Sequence, residues 1–317
     1  MRDVRHGAVV RAIVIAATLS SMVSSAWCNV TITGDVEPDN SVGWHSTDNA
    51  YIGKNGFGGV VVDDDELSAD FLFVGFSGHG ELEITNGGEV SNNESCIARY
   101  PGSKGEATVS GPGSIWNISE GTFVGLEGVG ELNIIDGASV ISPITFVGAP
   151  AGSTGTTTVS GSGSELTSSH SMTIGFSGQG SLHIEDGGLV STGLDPAVAP
   201  GNMLNGLYID LGDNGDSFIT MATGGMLAVY GDGGASLGDF LDLISSNSKD
   251  IRYWNSSIAD WDHITAAEEG TDYTLSYLTA GALAGHTMLT VNTIPEPATV
   301  MLLAIGGLAV LRRRRIG

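Results

Sequence analysis

Apolar and polar residues alternate through the middle of the chain in short segments that glycine-rich turns separate. Residues 81–84 (Glu-Leu-Glu-Ile) and 131–134 (Glu-Leu-Asn-Ile) are two such segments. A period of two residues is the pattern of a strand that buries one of its faces. Turn sequences such as Asn86-Gly87-Gly88 follow these segments and supply residues that tolerate positive φ angles. The pattern predicts many short strands joined by tight turns.

The same pattern returns every 50 residues. Residues 75–124 and 125–174 align without a gap and share 18 identical positions, and a third, partial copy begins at Gly175. Each copy divides into two half-units of about 22–27 residues, which is the length of one coil in a β-solenoid. Stacked coils would align two sets of apolar residues in interior columns: Leu82, Leu132 and Leu182, and Ile84, Ile134 and Ile184. We therefore predict an all-β fold, a parallel β-solenoid (β-helix).

The chain changes in composition after the repeats. Residues 193–206 are predicted to form a loop, and residues 208–230 a last degenerate coil. Ser236 is placed to N-cap a short helix, and the strand pattern continues at 251–254, 271–277 and 287–291. An aromatic-rich module of this kind is typical of a small α+β cap that covers the open end of a solenoid.

The start of the chain has the pattern of a secretory signal peptide. Arg2, Arg5 and Arg11 form a basic region, and an apolar stretch at residues 12–23 follows it. Cleavage after Ala26 and cleavage after Cys28 both fit the small-residue rule. If Cys28 is removed, Cys96 remains as the single thiol, and we expect no structural disulfide in either case.

The last residues of the chain have the pattern of a second targeting signal. A Pro-Glu-Pro turn precedes an apolar run at 298–311, and a cluster of arginines follows. As a helix, this run would be about 21 Å long, short of the ~30 Å hydrocarbon core of a bilayer. The motif resembles the PEP-CTERM sorting signal, which bacterial exosortases recognise and process. The residues that carry the resemblance are Pro295, Glu296, Pro297, Arg312, Arg313, Arg314 and Arg315.

Four parts are thus predicted along the chain: a signal peptide (1–28), a β-solenoid repeat domain (29–235), a C-terminal cap module (236–293) and a sorting signal with an apolar helix (294–317). The resemblance of the last part implies an exosortase-type processing enzyme as a partner. It also implies transient insertion of the C-terminal segment into the inner membrane, and exopolysaccharide production in the same cell.

The repeats themselves resemble those shared by the passenger regions of autotransporters and by PEP-CTERM proteins. The resemblance covers residues 51–192 and rests on the Gly-x-Gly-x-Leu-x-Ile core of each unit. It implies a β-solenoid on the cell surface. One half-unit departs from the pattern, because Ala98-Arg99-Tyr100 replaces its Val-Gly opening. We expect the corner of that coil to be built differently.

Charge excludes one class of partner. Three of the 12 basic residues lie in the signal peptide and four in the C-terminal arginine cluster, whereas only Asp3 of the 36 acidic residues lies in the signal peptide. Residues 29–311 therefore carry 35 acids against 5 bases, a net charge of −30. Nucleic-acid binding needs lysines and arginines that neutralise phosphates, so no nucleic acid is expected as a partner.

Catalytic and metal-binding patterns are not found in the sequence. The histidines are scattered without a His-Glu-x-x-His motif or metal-ligand spacing. Two acidic clusters, at 63–66 and 210–216, lack the Glu at position 12 of an EF-hand loop. We predict no enzyme activity, no metal and no cofactor.

The sequence thus predicts a secreted, exosortase-sorted surface or extracellular-matrix protein with a structural or adhesive role. Two alternatives remain open. One is a solenoid that binds carbohydrate, through Trp254 and Trp261 for example, or that binds ice through aligned threonines such as those at 156–158. The other is a glycan-degrading β-helix enzyme that uses a pair of carboxylates.

Overall fold

The structure is a computed structural model, and it describes residues 29–39, 44–193, 206–212, 217–234, 236–245 and 249–292. Its strands are, in chain order, β1 (Asn29–Gly34), β2 (Val36–Glu37), β3 (Ala50–Ile52), β4 (Phe57–Asp63), β5 (Glu66–Ser68), β6 (Phe71–Val74), β7 (His79–Thr85), β8 (Glu89–Ile97), β9 (Lys104–Ser110), β10 (Ile115–Val124), β11 (Val129–Ile135), β12 (Ser139–Val147), β13 (Thr154–Ser160), β14 (Glu165–Ile174), β15 (Gln179–Glu185), β16 (Leu189–Thr192), β17 (Gly206–Ile209), β18 (Phe218–Met221), β19 (Met226–Tyr230), β20 (Ile251–Asn255), β21 (Asp260–His263), β22 (Tyr273–Tyr277) and β23 (His286–Val291). One α-helix, α1 (Leu237–Asp242), and a 3₁₀ helix (Ile264–Ala266) complete the regular elements of this part.

The strands form two sheets that wind together along one axis. Sheet A has the order β1-β4-β7-β9-β11-β13-β15-β18-β20-β21. Sheet B has the order β2-β3-β6-β8-β10-β12-β14-β16-β19-β23-β22, with β5 also pairing with β8 and β17 with β14. Each coil contributes one strand to sheet A and then one strand, or two short ones, to sheet B. Neighbouring coils pair in parallel from β3 and β4 through β18 and β19. The predicted parallel β-solenoid is confirmed.

Sheet A shows how the repeat becomes a coil. Its strands β7, β9, β11, β13 and β15 begin 25 residues apart and pair without any shift of register. One sequence repeat of 50 residues therefore makes two coils. The interior columns follow: Leu82, Ala107, Leu132, Thr157 and Leu182 in one, and Ile84, Val109, Ile134, Val159 and Ile184 in the other. The predicted leucines and isoleucines do share columns, but a residue of the intervening coil separates each from the next.

Sheet B carries a break in the middle of its long strands. The register of β10 shifts against β8 between Ile118 and Gly121, and β12 shows the same irregularity against β14. Small polar side chains line the interior at this break and bond to one another. The Trp116 indole Nε1 donates to Asn92 Oδ1 at 2.7 Å, for instance, and Thr122 Oγ1 donates to Ser142 Oγ at 3.2 Å. These bonds satisfy polar groups whose burial would otherwise be costly.

Residues with positive φ angles make the turns and corners, as predicted. Asn86 and Gly87, with φ angles of 52° and 90°, connect a strand of sheet A to the next strand of sheet B. At the opposite corner, Gly75 and Gly125 have φ angles of 76° and 71°. Ala98 has a φ of 61° at the equivalent position. The expectation that this corner is built differently was wrong, because alanine adopts the same left-handed conformation here.

Both ends of the solenoid are closed by strands that run against the direction of the coils. At the start, β1 pairs antiparallel with β4, and β2 pairs antiparallel with β3. At the other end, β23 pairs antiparallel with β19, β22 with β23, and β21 with β20. A reversed strand interrupts the parallel stack, so another coil cannot continue it in register. The sequence analysis predicted the C-terminal cap and missed the N-terminal one.

The cap also contains the predicted helix. Ser236 caps α1, its Oγ accepting a hydrogen bond from the backbone N–H of Asp239 at 3.2 Å. Phe240 and Leu241 are buried against the end of the core. The loop predicted at 193–206 falls mostly outside the described residues, as do the signal peptide and the sorting helix.

Close contact between coils predicts a difference between two glycines with similar φ angles. Gly125 (φ 71°) has the Thr154 carbonyl of the next coil so near that a Cβ would overlap it, whereas a Cβ on Gly152 (φ 88°) would meet nothing within 4 Å. Each change to alanine costs about 1–2 kcal/mol for the left-handed backbone. We expect Gly125→Ala to lower the free energy of unfolding by about 1–3 kcal/mol more than Gly152→Ala. Chemical denaturation measures both, and equal losses would contradict close stacking at this corner.

Candidate functional site

The residues predicted to carry the sorting signal lie outside the described residues. They are Pro295, Glu296, Pro297, Arg312, Arg313, Arg314 and Arg315. Among the helices of the described residues, none is long and apolar enough to cross a membrane. The structure therefore describes the body of the protein. The evidence for the sorting signal is the sequence and the family comparison given below.

The two acidic clusters belong to turns where the structure describes them. Asp64 occupies a left-handed position (φ 51°), and the Asp63 carboxylate accepts a hydrogen bond from Asn86 Nδ2 at 2.7 Å. Asp210 has a φ of 53° at the corner that follows β17, and residues 213–216 lie outside the described residues. Within the described ranges, no three His, Cys, Asp or Glu side chains form a group that could hold a metal ion. The absence of a metal and of catalytic residues stays a prediction.

Sheet A presents polar side chains on its outer face. Glu81, Glu106 and Glu131 stack in register on three successive coils. The next positions of this column are Thr156 and Ser181, so threonine does not repeat along it. In the neighbouring column, Thr108 and Thr158 are separated by Asn133. The aligned threonine array that an ice-binding face would need is interrupted in both columns.

Sheet B carries a different outer surface. The column formed by Tyr51, Phe73, Cys96, Phe123 and Phe146 faces away from the core, while the residues on either side of each point inward. Further apolar side chains at the adjacent corner pack beside this column. We define the aromatic stripe as Tyr51, Phe73, Phe76, Tyr100, Phe123, Leu126, Phe146 and Phe176. With coils ~4.8 Å apart, the stripe extends about 24 Å along the solenoid axis.

The rings of the stripe contact one another from coil to coil. Phe123 and Phe146 are stacked, with ring centroids 5.2 Å apart and planes 4° from parallel. The ring of Phe176 stands at 88° to that of Phe146, with 6.1 Å between centroids. At the other end, Phe76 meets Tyr51, Phe73 and Tyr100 edge to face. Such pairs stabilise each other, so the stripe is held in a fixed arrangement.

Part of the stripe forms an open groove of about 580 Å³. Its lining is almost wholly apolar: Phe123, Leu126, Glu127, Phe146, Ala149, Pro150, Ala151, Phe176 and Ser177. Phe176 in the groove is 46% exposed, and Tyr100 farther along the stripe is 39% exposed. A volume of this size is in the range of small-ligand sites, although the groove is open along one side.

The cations beside the stripe are paired with carboxylates. Arg99 lies 5.1 Å from the centre of the Tyr100 ring, and its Nη1 is 3.7 Å from Glu127 Oε1. Lys54 lies over the ring of Tyr51 and forms an ion pair with Glu37. Each cation is thus matched by a carboxylate. Glu94, two residues before Cys96 on β8, adds negative charge at the edge of the column, so the stripe is an apolar band with acidic groups beside it.

Cys96 occupies the gap in the column between Phe73 and Phe123. It is a free thiol, and it is buried even though it lies on the outer side of the strand. Burial raises the pKa of its thiol to about 12, so the thiol stays protonated and unreactive at neutral pH. Its place in the column is that of a small apolar residue.

A second aromatic pair lies in the C-terminal cap. Trp254 and Trp261 are directly opposite each other on β20 and β21, with ring centroids 5.5 Å apart. Trp261 and the nearby Ile258 are exposed. The structure therefore brings together the two tryptophans that the sequence analysis considered for carbohydrate binding.

The aromatic stripe was not predicted from the sequence, although a signal for it exists. The half-units that open with Phe-Val-Gly at 73–75, 123–125 and 146–148 place an aromatic residue at the same coil position each time. The first residue of the motif faces outward, and the sequence alone did not distinguish it from the core residue that follows.

The stacked glutamates on sheet A generate a stability prediction. Glu106 lies between Glu81 and Glu131, and like charges in register repel. We expect Glu106→Gln to raise the free energy of unfolding by about 0.5 kcal/mol at low salt, and the gain to shrink as salt is added. Glu165→Gln is the matched control, because Glu165 pairs in register with Ser139 and Leu189.

Denaturation of both variants with and without calcium completes the test. A loss of stability in Glu106→Gln that appears only with calcium would contradict the prediction, because it would mean that a cation bridges the three carboxylates.

Comparison with known proteins locates the sorting signal. Residues 293–315 match the family described as "PEP-CTERM protein-sorting motif". No curated protein and no solved structure matches the chain. The motif covers every residue named above for the signal and implies processing by an exosortase. The chain therefore carries a PEP-CTERM sorting motif on a β-solenoid body and is an exosortase-dependent, secreted surface protein.

Proposed function

We propose that the protein is a non-enzymatic structural or adhesive component of the extracellular matrix, associated with exopolysaccharide around the cell. The observation that carries this proposal is the aromatic stripe, which leaves a fixed apolar surface exposed along the outside of the solenoid. Exposed apolar patches on soluble proteins commonly mark interaction sites. A stripe that crosses several coils suits contact with an extended partner rather than capture of a small substrate.

The closed ends support the same role. Antiparallel strands finish both sheets at both ends, so the solenoid is a unit of defined length. Its interior is packed with aliphatic columns, together with the hydrogen-bonded polar side chains at the break in sheet B. A rod of this kind holds its outer surfaces at fixed spacing and resists local unfolding, because each coil is supported by two neighbours.

The proposal also includes the route to the surface. A signal peptide at residues 1–28 starts export, and the apolar run at 298–311 holds the chain in the inner membrane until processing. Exosortase cleavage near the Pro-Glu-Pro turn then releases the body. The net charge of −30 between residues 29 and 311 keeps the released protein soluble and away from anionic headgroups.

Replacement of Pro295, Glu296 and Pro297 by alanine tests this route. We expect the wild-type chain in the matrix fraction, with an intact mass that ends near residues 295–297. The variant should stay in the membrane fraction and keep Arg312–Arg315, because the processing enzyme no longer recognises it. Pro101→Ala, at an exposed proline of a solenoid corner, is the control and should be processed normally.

Two results would contradict the proposal. A wild-type mass that retains Arg312–Arg315 would mean that the protein stays in the membrane, and the matrix role would be wrong. Release of reducing ends from the matrix polysaccharide by the purified protein, abolished by a single carboxylate substitution, would show that it is an enzyme.

A further inference from the structure

The fold does not require the aromatic stripe. The core of each coil is filled by inward-facing residues such as Leu72, Val74, Val124 and Val147, which are fully buried. The phenylalanines between them face outward, outside the packed interior of the coil. Exposed rings leave apolar area in water, which is unfavourable relative to burial. A ligand that covers the rings recovers this free energy.

Charge limits the kinds of ligand. The cations beside the stripe, Lys54 and Arg99, are each paired with a carboxylate, while the interval 29–311 carries a net charge of −30. A polyanion such as a nucleic acid or a polyuronate would be repelled over the whole length of the rod. A second copy of the chain would bring the same negative charge. A cationic ligand would be attracted to the acidic residues outside the stripe, such as the stacked glutamates of sheet A. The ligand that fits the apolar stripe itself is therefore an uncharged molecule.

The shape of the groove limits the ligand further. The groove at Phe123, Phe146 and Phe176 is open, so it covers only one side of a bound molecule. An acyl chain bound there would keep its other side in water at a hydrophobic cost. A pyranose ring has an apolar C–H face and a rim of hydroxyl groups, so it can cover the rings with one side and stay hydrated on the other.

The periodicity of the stripe favours a polymer. Each coil adds a position to the outer column at a spacing of ~4.8 Å, and five successive coils contribute Tyr51, Phe73, Cys96, Phe123 and Phe146. A repeating surface matches a repeating ligand. The Tyr100 hydroxyl and the Arg99 guanidinium, which lie between the two groups of phenylalanines, offer hydrogen-bond donors for sugar hydroxyls.

From these four observations we infer that the aromatic stripe binds a neutral polysaccharide, laid along the solenoid axis across Phe146, Phe176 and Tyr100. The inference rests on the proposed surface role and names the ligand class for it. The stripe is then the adhesive surface of the protein, and the acidic outer face of sheet A is turned away from the bound chain.

Affinity gel electrophoresis of the mature protein, purified from its own cells, tests the inference. The probes are a neutral glucan, a mannan, a galactan and a xylan, with polygalacturonate as the charged comparison. We expect retardation by at least one neutral polysaccharide and none by polygalacturonate. Phe146→Ala/Phe176→Ala should weaken binding about tenfold or more, because aromatic anchors dominate the energetics of such contacts.

Matched variants make the result specific. Phe57→Ala removes a ring that is 50% exposed on sheet A, outside the stripe, and should bind as the wild type does. Tyr100→Ala changes an exposed ring within the stripe and should weaken binding on its own. Melting curves of all variants verify that each is folded.

Four outcomes would overturn the inference. The first is no retardation by any neutral probe, and the second is equal retardation by polygalacturonate. The third is binding that survives the stripe substitutions but is lost in Trp254→Ala/Trp261→Ala. The fourth is a wild-type protein that sediments as a dimer and that Phe176→Ala converts to a monomer. The first three would leave the secreted structural role intact, because that role is tested by the location and mass of the chain. The last would assign the stripe to contact between copies.

Discussion

The parallel stacking of coils is the constraint on which the rest of this structure depends. A single coil exposes both edges of its strands and cannot enclose its own apolar side chains, so each coil is stable only between neighbours. Even the corners take part in the hydrogen-bonded stack. The backbone N–H of Gly125 donates to the carbonyl of Ile97 at 2.9 Å, and that of Gly175 donates to Val147 at 2.7 Å. Because the corners are paired as well, the register of the coils is fixed all the way round.

A fixed register acts on outer faces as well as on the interior. In the core it brings Leu82, Ala107 and Leu132 together, which is favourable. On the outside of sheet A the same register brings three glutamates together, which is unfavourable. On the outside of sheet B it aligns phenylalanines, which attract one another and remain accessible. The surface that we propose as functional is thus a consequence of the repeat that builds the fold.

Much of the fold was predictable because the repeat is a property of the sequence. The 50-residue period and the alternation around Leu82 and Leu132 were enough to predict coils, faces and turns. Ala98 was misjudged, since the stack holds alanine in a conformation that it adopts only at a cost. The antiparallel strands β1 and β2 were missed because strand direction depends on a partner 14 or more residues away, and no local pattern encodes it.

The functional surfaces were harder to predict. The sorting signal is a continuous motif and can be read from residues 295–315 alone, whereas the stripe is assembled from residues about 25 positions apart. An outward phenylalanine and an inward valine next to each other look alike in a pattern of apolar residues. Cys96 also interrupts the aromatic column between Phe73 and Phe123. The sequence therefore shows no unbroken repeat of aromatic residues at this position.

The most direct test of this account is the distance between equivalent positions on separated coils. Glu81 and Ser181 lie in one outer column of sheet A, four coils apart, so their backbones should be about 19 Å from each other. Spin labels on Glu81→Cys and Ser181→Cys in a Cys28→Ser background can measure this, since Cys96 is buried and its pKa of about 12 keeps the thiol from competing for the label. Stacked coils predict a narrow distribution that differs from ~19 Å only by the reach of the labels. A broad distribution, or one centred beyond twice that distance, would contradict the stacked register and every surface built on it.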